Sequence, residues 1–352
     1  MSRQKTTHSY LCEAEVVEGL EGIAADELLR FTGGRIRLQA PPQERSGHIR
    51  FTYTGDLWRL QALRTVQAVY LVEYFAVSRP RALLGDQNLR IVINQINTVR
   101  RETIEHFFQT LEIAAAGENT PVMKRIKEEL STKLRLDRAE EKGDLLVRII
   151  PARTREGWET LARITPRPLT TRSWRVCNLE GALNATVASA MIELSAPNQD
   201  DIYINLGSGS GTLLIERAAR GSAKQIIGIE NDPVIQECAS QNIRSSHFAK
   251  AISRVFGDMT AVPLPDNIAN IICADLPFGQ KIGTHQDNLT LYPMVFQEAA
   301  RLTSRGGQFI FITHEVRLIE RLLQSNPHWS KERELRITLR GLHPRIYSLR
   351  RR

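Results

Sequence analysis

Asp275-Leu276-Pro277-Phe278 follows the apolar run Ile271-Ile272-Cys273-Ala274 and holds the residue types most able to do chemistry in this chain. A carboxylate, a spacer, a proline and an aromatic ring at the end of a strand suit a flat nitrogen heterocycle bearing an exocyclic amine. The Asp275 carboxylate and the Leu276 carbonyl can both accept hydrogen bonds from such an amine. Pro277 removes a backbone donor and restricts the chain, which keeps that carbonyl aimed. Phe278 offers a face for the ring, and stacking of a base is worth about 1–3 kcal/mol. Taken alone, the tetrapeptide could equally be a strand-to-loop proline turn with a packed aromatic.

Its meaning depends on a glycine-rich turn upstream. Asn205-Leu206-Gly207-Ser208-Gly209-Ser210-Gly211-Thr212 joins a strand to the helix Leu213-Leu214-Ile215-Glu216. Glycines allow a sharp turn and close approach of a ligand, and the helix N-terminus supplies free N–H groups. The second strand ends in Glu230, followed by Asn231, and a carboxylate there can accept both hydroxyls of a ribose. A dinucleotide site would need GxGxxG. The glycines at 207, 209 and 211 follow GxGxG instead, which argues against a nucleotide-dependent oxidoreductase. It suits S-adenosylmethionine better, because that cofactor has no pyrophosphate to cradle. Phe256-Gly257-Asp258-Met259, after the third strand, places a carboxylate and a neighbouring N–H where an adenine edge would lie.

The elements that must position these residues alternate. Strands are expected at 201–205, 225–230, 253–256, 268–274 and 308–313, with helices at 212–220, 233–242 and 289–303. Alternation of this kind argues for a parallel α/β sheet. Two short strands at 334–340 and 345–350, joined by Gly341-Leu342-His343-Pro344, read as a closing antiparallel hairpin. The N-terminal half reads as α+β. Residues 1–80 carry strands at 10–17, 35–38, 48–53 and 70–77, with helices at 19–31 and 56–67. Residues 81–168 carry helices at 84–99 and 121–134 and strands at 109–116, 144–150 and 158–164. Pro166 and Pro168 mark a linker.

Across 352 residues, 42% are hydrophobic and 24% charged, as in globular proteins. No apolar run approaches the roughly 20 residues of a membrane span, and the polar N-terminus lacks a signal core, so a cytoplasmic protein is expected. The four cysteines, Cys12, Cys177, Cys238 and Cys273, are widely spaced without CxxC. They read as reduced, buried residues, and no metal site is expected. The net charge is +8. Eight basic residues between Lys331 and Arg352 face only Glu332 and Glu334. A second basic stretch comprises Arg153, Arg155, Arg163, Arg167, Arg172 and Arg175. Either could be an ordinary solvated face; together they favour a phosphate backbone as partner.

The motifs Asp275–Gly279, Leu291-Tyr292-Pro293 and Gly207–Glu216 resemble those of the THUMP-domain class I RNA methyltransferases. The closest branch makes N2-methylguanosine in tRNA. Gly181-Ala182-Leu183-Asn184-Ala185-Thr186 also resembles that branch's linker helix, which borders the methionine end of the cofactor. The resemblance is strong over about 165–350 and rests on order and size alone before that. It implies a ferredoxin-like segment at 1–80, a THUMP-like RNA-binding domain at 81–168, and a linker helix with a Rossmann-like doubly wound methyltransferase domain at 169–352.

By the same resemblance, the cofactor would lie against Asn184, Thr186, Asn205, Gly207, Ser208, Gly209, Gly211 and Thr212. Glu230 with Asn231 would take its ribose, and Asp258 with Met259 its adenine. Asp275, Leu276, Pro277 and Phe278 would hold the methyl acceptor, a guanosine in tRNA gripped by the THUMP part. The family's first strand usually ends in an acid, where this chain has Asn205. Rival readings are a methyltransferase for another exocyclic amine, such as adenine N6 or guanine N2 in ribosomal RNA, and a non-catalytic RNA-binding protein that kept the fold. His314 and Glu315, at a strand end, read mainly as a solvated polar pair.

Overall fold

The computed structural model describes residues 8–102, 108–139, 142–279, 283–324, 326–339 and 341–352. Two compact units emerge. One is built from the chain up to Val16 and from Ala24–Leu169, the other from Val17–Ile23 and Thr170–Arg352.

The first unit is an eight-stranded sheet, ordered β2-β3-β1-β4-β8-β7-β5-β6. Its strands are β1 (Ser9–Val16), β2 (Gly34–Leu38), β3 (His48–Gly55), β4 (Val66–Phe75), β5 (Thr110–Ala115), β6 (Asp137–Arg138), β7 (Leu145–Pro151) and β8 (Trp158–Arg163). Helices α1 (Glu21–Arg30), α2 (Asp86–Glu102) and α3 (Pro121–Leu134) accompany it. β4 pairs with β8, so strands from residues 1–80 and 81–168 share one sheet. The helix expected over 56–67 is instead a 3₁₀ turn, Leu57–Ala62, and β4 begins at Val66. Leu57, Leu60 and Leu63 are buried at a spacing of three, the repeat of a 3₁₀ turn rather than of an α-helix.

Part of the basic stretch in this part of the chain has partners inside the protein. Arg163 is buried and donates to the carbonyls of Thr165 and Pro166. Arg153 pairs with buried Glu13, and Arg155 lies over the Tyr74 ring. Arg153, Arg155 and Arg167 are all exposed.

The second unit holds a seven-stranded sheet ordered β11-β10-β9-β12-β13-β15-β14. Its elements run α4 (Ala185–Leu194), β9 (Ile202–Leu206), α5 (Thr212–Arg220), β10 (Gln225–Glu230), α6 (Pro233–Ser245), β11 (Ile252–Phe256), β12 (Ala269–Asp275), α7 (His285–Leu302), β13 (Thr303–Thr313), α8 (Val316–Gln324), β14 (Trp329–Arg336) and β15 (Arg345–Arg351). Strands β9 to β13 are parallel where they pair, and β15 runs antiparallel to both neighbours. The expected doubly wound sheet with a terminal hairpin is therefore present. The hairpin's first strand starts earlier than expected, at Trp329, and Arg340 lies outside the described residues. Trp329 is buried and anchors that start, with its Nε1 donating to the Phe296 carbonyl.

Buried parallel strands read as near-continuous apolar runs. Ile204, Leu206, Ile229, Ile272, Ala274, Phe309 and Phe311 form the core with Tyr292 and Phe296 of α7. Helix α7 starts at His285, four residues before the expected Leu289. Thr284 caps it, accepting from Asp287 N, while the Asp287 side chain accepts from Thr284 N. Two donors that the helix end would leave orphaned are thus satisfied.

The cysteine expectation needs correction. Cys177 and Cys238 form a disulfide, with Cα atoms 5.4 Å apart, while Cys12 and Cys273 are free and buried. Sequence distance hid a spatial neighbour, because the linker before α4 folds back onto α6. Closing a loop 61 residues long removes about 4 kcal/mol of unfolded-state entropy on the chain-entropy account. Cys177→Ser, or reduction, should therefore lower the melting temperature in a thermal scan without changing the far-UV spectrum. Equal melting points for oxidised and reduced protein would contradict the assignment.

Candidate active site

In open α/β sheets the ligand crevice lies beyond the carboxyl ends of the strands, where the strand order reverses. Here that point falls between β9 and β12. The chain winds outward from β9 through β10 to β11, then crosses back to β12. Register puts the predicted residues on one line. Leu206 is level with Ala274 on one side and Ile229 on the other, and Glu230 is level with Phe256. Hence Gly207, Glu230, Gly257-Asp258 and Asp275 all emerge at the same edge. With strands about 4.8 Å apart, the line from β11 to β12 spans about 14 Å.

The glycine turn is held in a defined shape. Ser208 N donates to the Ile229 carbonyl and Gly211 N to the Ser208 carbonyl. Gly209 has a φ of +52°, and a Cβ placed there would meet nothing within 4 Å. A glycine is needed there for its backbone conformation, and its Cα faces open space. Met259 reaches over Gly207, where a Cβ would lie 2.6 Å from its Cε. Ser208 and Thr212 are buried. The Thr212 hydroxyl is engaged by Arg175 and by Ser210. These two side chains therefore shape the turn.

Glu230 already organises this crevice. One carboxylate oxygen accepts from Gly209 N at 3.0 Å, the other from Asn231 N and Asp232 N. Asp258 accepts from the Thr260 amide and hydroxyl, and these bonds hold its carboxyl below the usual range. Asn231 lies close enough to Asp258 to help lower its carboxyl pKa. Asn184 caps α4, its Oδ1 accepting from Thr186 N, Thr186 Oγ1 and Val187 N. Thr186 is fully buried. Asn205 is buried as well. Its amide nitrogen donates to the carbonyls of Leu206 and Cys273, which couples the ends of β9 and β12, and its Oδ1 has no partner among the described residues.

Asp275 ends β12. Burial pushes its carboxyl up to about 7, since desolvation disfavours the charged form. Leu276 N donates to the Ile312 carbonyl. The Pro277 carbonyl accepts from Tyr292 Oη at 2.7 Å and from Asn288 Nδ2 at 3.0 Å. Gly279, at a φ of +71°, has no room for a Cβ, which would lie 2.7 Å from Glu315 Oε1. Phe278 meets the His314 ring edge-on, with centroids 5.4 Å apart. Burial and nearby His343 lower the His314 pKa, so its ring is neutral near pH 7. Glu315 bonds His285 and Asn288. His314 and Glu315 therefore do more than face solvent: they buttress the tetrapeptide.

Two clamps were not legible beforehand. Asn242 of α6 is fully buried and uses all its hydrogen-bonding groups. Its Oδ1 accepts from the amides of Val176 and Cys177, and its Nδ2 donates to the carbonyls of Cys177 and Ser210. This fixes the linker against the glycine turn. An asparagine four residues after Cys238, on the apolar stripe of α6, was the available signal. The second clamp is the buried pair Arg172–Glu216, with Ser189 donating to the same carboxylate. Arg172 and Arg175 of the expected basic stretch thus have structural tasks. In the tail, Lys331, Arg345 and Arg350 pair with Glu334, Glu334 and Glu332.

The sheet order, glycine turn and carboxylates at the strand ends define a class I methyltransferase domain. Residues 172–345 match the model of the RMKL-like methyltransferase domain family (UPF0020). The chain is 30% identical over 183 residues to the Bos taurus tRNA (guanine(6)-N(2))-methyltransferase THUMP3, covering 48% of this chain but only 36% of that protein. Across 94% of this chain and 97% of the relative, it is 24% identical to the tRNA (guanine(6)-N2)-methyltransferase of Methanocaldococcus jannaschii. Among solved structures, TrmN from Thermus thermophilus aligns with a TM-score of 0.73 at 20% identity, over 98% of this chain and 100% of that one. The fold is shared across that whole length.

Proposed function

We propose that this protein transfers a methyl group from S-adenosylmethionine to the exocyclic N2 amine of a guanosine in tRNA. The observation that carries the reading is the single line of Gly207, Glu230 and Asp275 at the strand-order reversal. It sets one acid suited to a ribose and one suited to an amine on either side of a glycine turn. The open face of Gly209 and the Asn205 Oδ1, unpartnered among the described residues, fit a bound cofactor there. The relatives' printed activities supply the choice of guanosine N2 and of tRNA.

When bound, S-adenosylmethionine supplies an electrophilic methyl on sulfur. The chain does the rest. Asp275 and the Leu276 carbonyl accept the two N–H bonds of the amine. That geometry turns the nitrogen lone pair out of conjugation with the ring and toward the methyl, so positioning provides much of the rate. Asp275 then takes the proton released from nitrogen, a role suited to a carboxyl near neutrality. Phe278, set by the edge of His314, stacks on a base that must leave its helix to reach the site.

The first unit supports a THUMP-like, RNA-gripping role. Lys124, Arg125, Lys133 and Arg135 on and beside α3 are exposed and suit a phosphate backbone. Changing all four to alanine should weaken tRNA binding and reduce the slope of log K against log salt by up to about 3. An unchanged slope in filter binding at several salt concentrations would remove α3 from the interface. A cytoplasmic site of action follows from the substrate proposed. The reading as a whole is tested by incubating the protein with methyl-labelled S-adenosylmethionine and, separately, tRNA, ribosomal RNA and DNA. Label in tRNA alone is expected; label in DNA, or in none, overturns it.

A further inference from the structure

The loop that carries the acceptor device is fixed from behind by side chains the reaction itself does not use. Tyr292 and Asn288 lie one turn apart on α7, both with 0% exposure. Both donate to the Pro277 carbonyl. Proton direction is determined by the partners. A carbonyl only accepts, so Tyr292 must give its one hydroxyl proton to Pro277. Thr313 Oγ1, 2.6 Å from Tyr292 Oη, must then donate to Tyr292, and Thr313 in turn accepts from Glu315 N at 2.9 Å. Burial raises the Tyr292 phenol well above its ordinary range, so it stays a donor. Asn288 Nδ2 also donates to Glu315 Oε1. Helix α7 and the end of β13 therefore hold one carbonyl through both of its lone pairs.

The consequence concerns the neighbouring peptide. The peptide before Leu276 is held by Leu276 N donating to Ile312. The peptide after Pro277 is held by Tyr292 and Asn288. Between them lies the Leu276–Pro277 peptide, which has no N–H. Among the described residues no hydrogen bond reaches its Leu276 carbonyl. A pin on each side thus leaves one free acceptor whose direction is fixed by its neighbours. The packing of Glu315 against Gly279 closes the far end of the loop, beyond Phe278.

We propose that Tyr292 and Asn288 are positioning residues that aim the Leu276 carbonyl and the Phe278 ring at the methyl acceptor. The inference rests on the reading of the site as an amine methyltransferase. Tyr292→Phe keeps the ring in the core and deletes only the hydroxyl. Asn288→Ala removes the second donor. The test measures methyl transfer to unfractionated tRNA under steady-state conditions, with S-adenosylmethionine affinity by calorimetry and melting temperature alongside.

For each variant kcat should fall about tenfold or more, because a lost hydrogen bond here misplaces reacting atoms. The KM for tRNA and the Kd for S-adenosylmethionine should stay within about threefold. Thr313→Ser, which keeps the hydroxyl that orients Tyr292, should retain kcat, whereas Thr313→Val should lose part of it. A merely structural role would lower cofactor affinity and melting temperature in step with kcat, and that result overturns the assignment. So do variants with wild-type kcat when the wild-type protein is active. If the wild-type protein methylates no nucleic acid, the functional reading fails first and takes this inference with it.

Discussion

Asp275→Ala is expected to reduce methyl transfer by about 10³-fold or more, the usual scale for losing a group that positions the acceptor and takes its proton. Cofactor affinity should remain within a few-fold, because Asp275 sits on β12, across the crevice from Glu230 and Asp258. The pH dependence carries the same signature. With a carboxyl that titrates at about 7, the ionised, accepting form is scarce at pH 5. The rate of the wild-type protein should rise about tenfold per pH unit below that value and level off above it.

Stability runs the other way. The folded carboxyl holds its proton up to about pH 7, while an unfolded aspartate loses it near the ordinary 3.8. Between those values the folded state binds more protons, so stability falls as pH rises. The cost of ionising this half-buried group at pH 8 is at most about 4 kcal/mol. The melting temperature of Asp275→Ala relative to the wild type should therefore improve from pH 5 to pH 8. A difference that does not vary with pH would contradict the raised titration. A variant that turns over normally would remove Asp275 from the mechanism.

The second large effect is on cofactor binding. Glu230→Ala should weaken S-adenosylmethionine binding by about 10²-fold, from the loss of two charge-assisted hydrogen bonds to the ribose. Calorimetry measures it directly. Because Glu230 also accepts from the Gly209, Asn231 and Asp232 amides, part of the loss would come from a loosened glycine turn. Glu230→Gln keeps some of those acceptors and should fall between wild type and alanine. Saturating cofactor should restore most of kcat to either variant. Wild-type affinity in Glu230→Ala would move the ribose elsewhere.

Much of the second unit was legible because its constraints are local. Each parallel strand is a short apolar run, and each is followed by a residue whose position on the edge is fixed by where the run ends. Leu206, Ile229 and Ala274 end such runs, so Gly207, Glu230 and Asp275 could be placed in line without knowing the sheet. Helix α8 and the early start of β14 were missed. Their burial depends on Leu318, Ile319 and Trp329 packing against residues far away in sequence.

The long-range partners were likewise out of reach. Nothing local to Cys177 or Cys238 indicates that they meet, nor that Asn242 bridges the linker and the glycine turn. Charge was read least well. A run of arginines looks the same in sequence whether it faces solvent or not. Arg163, Arg172 and Arg175 instead hold carbonyls and Glu216 inside the protein. Helix α3 kept its basic face exposed because Met123, Ile126, Leu130 and Leu134 occupy its buried stripe.

The central claim joins a cofactor on the Gly207–Glu230 side to an amine held by Asp275 and Leu276. Its most direct test is nucleoside analysis of tRNA after incubation with the protein and methyl-labelled S-adenosylmethionine. Label in N2-methylguanosine, absent with Asp275→Ala, is the predicted result. Label in N6-methyladenosine, or undiminished label in the variant, would contradict it.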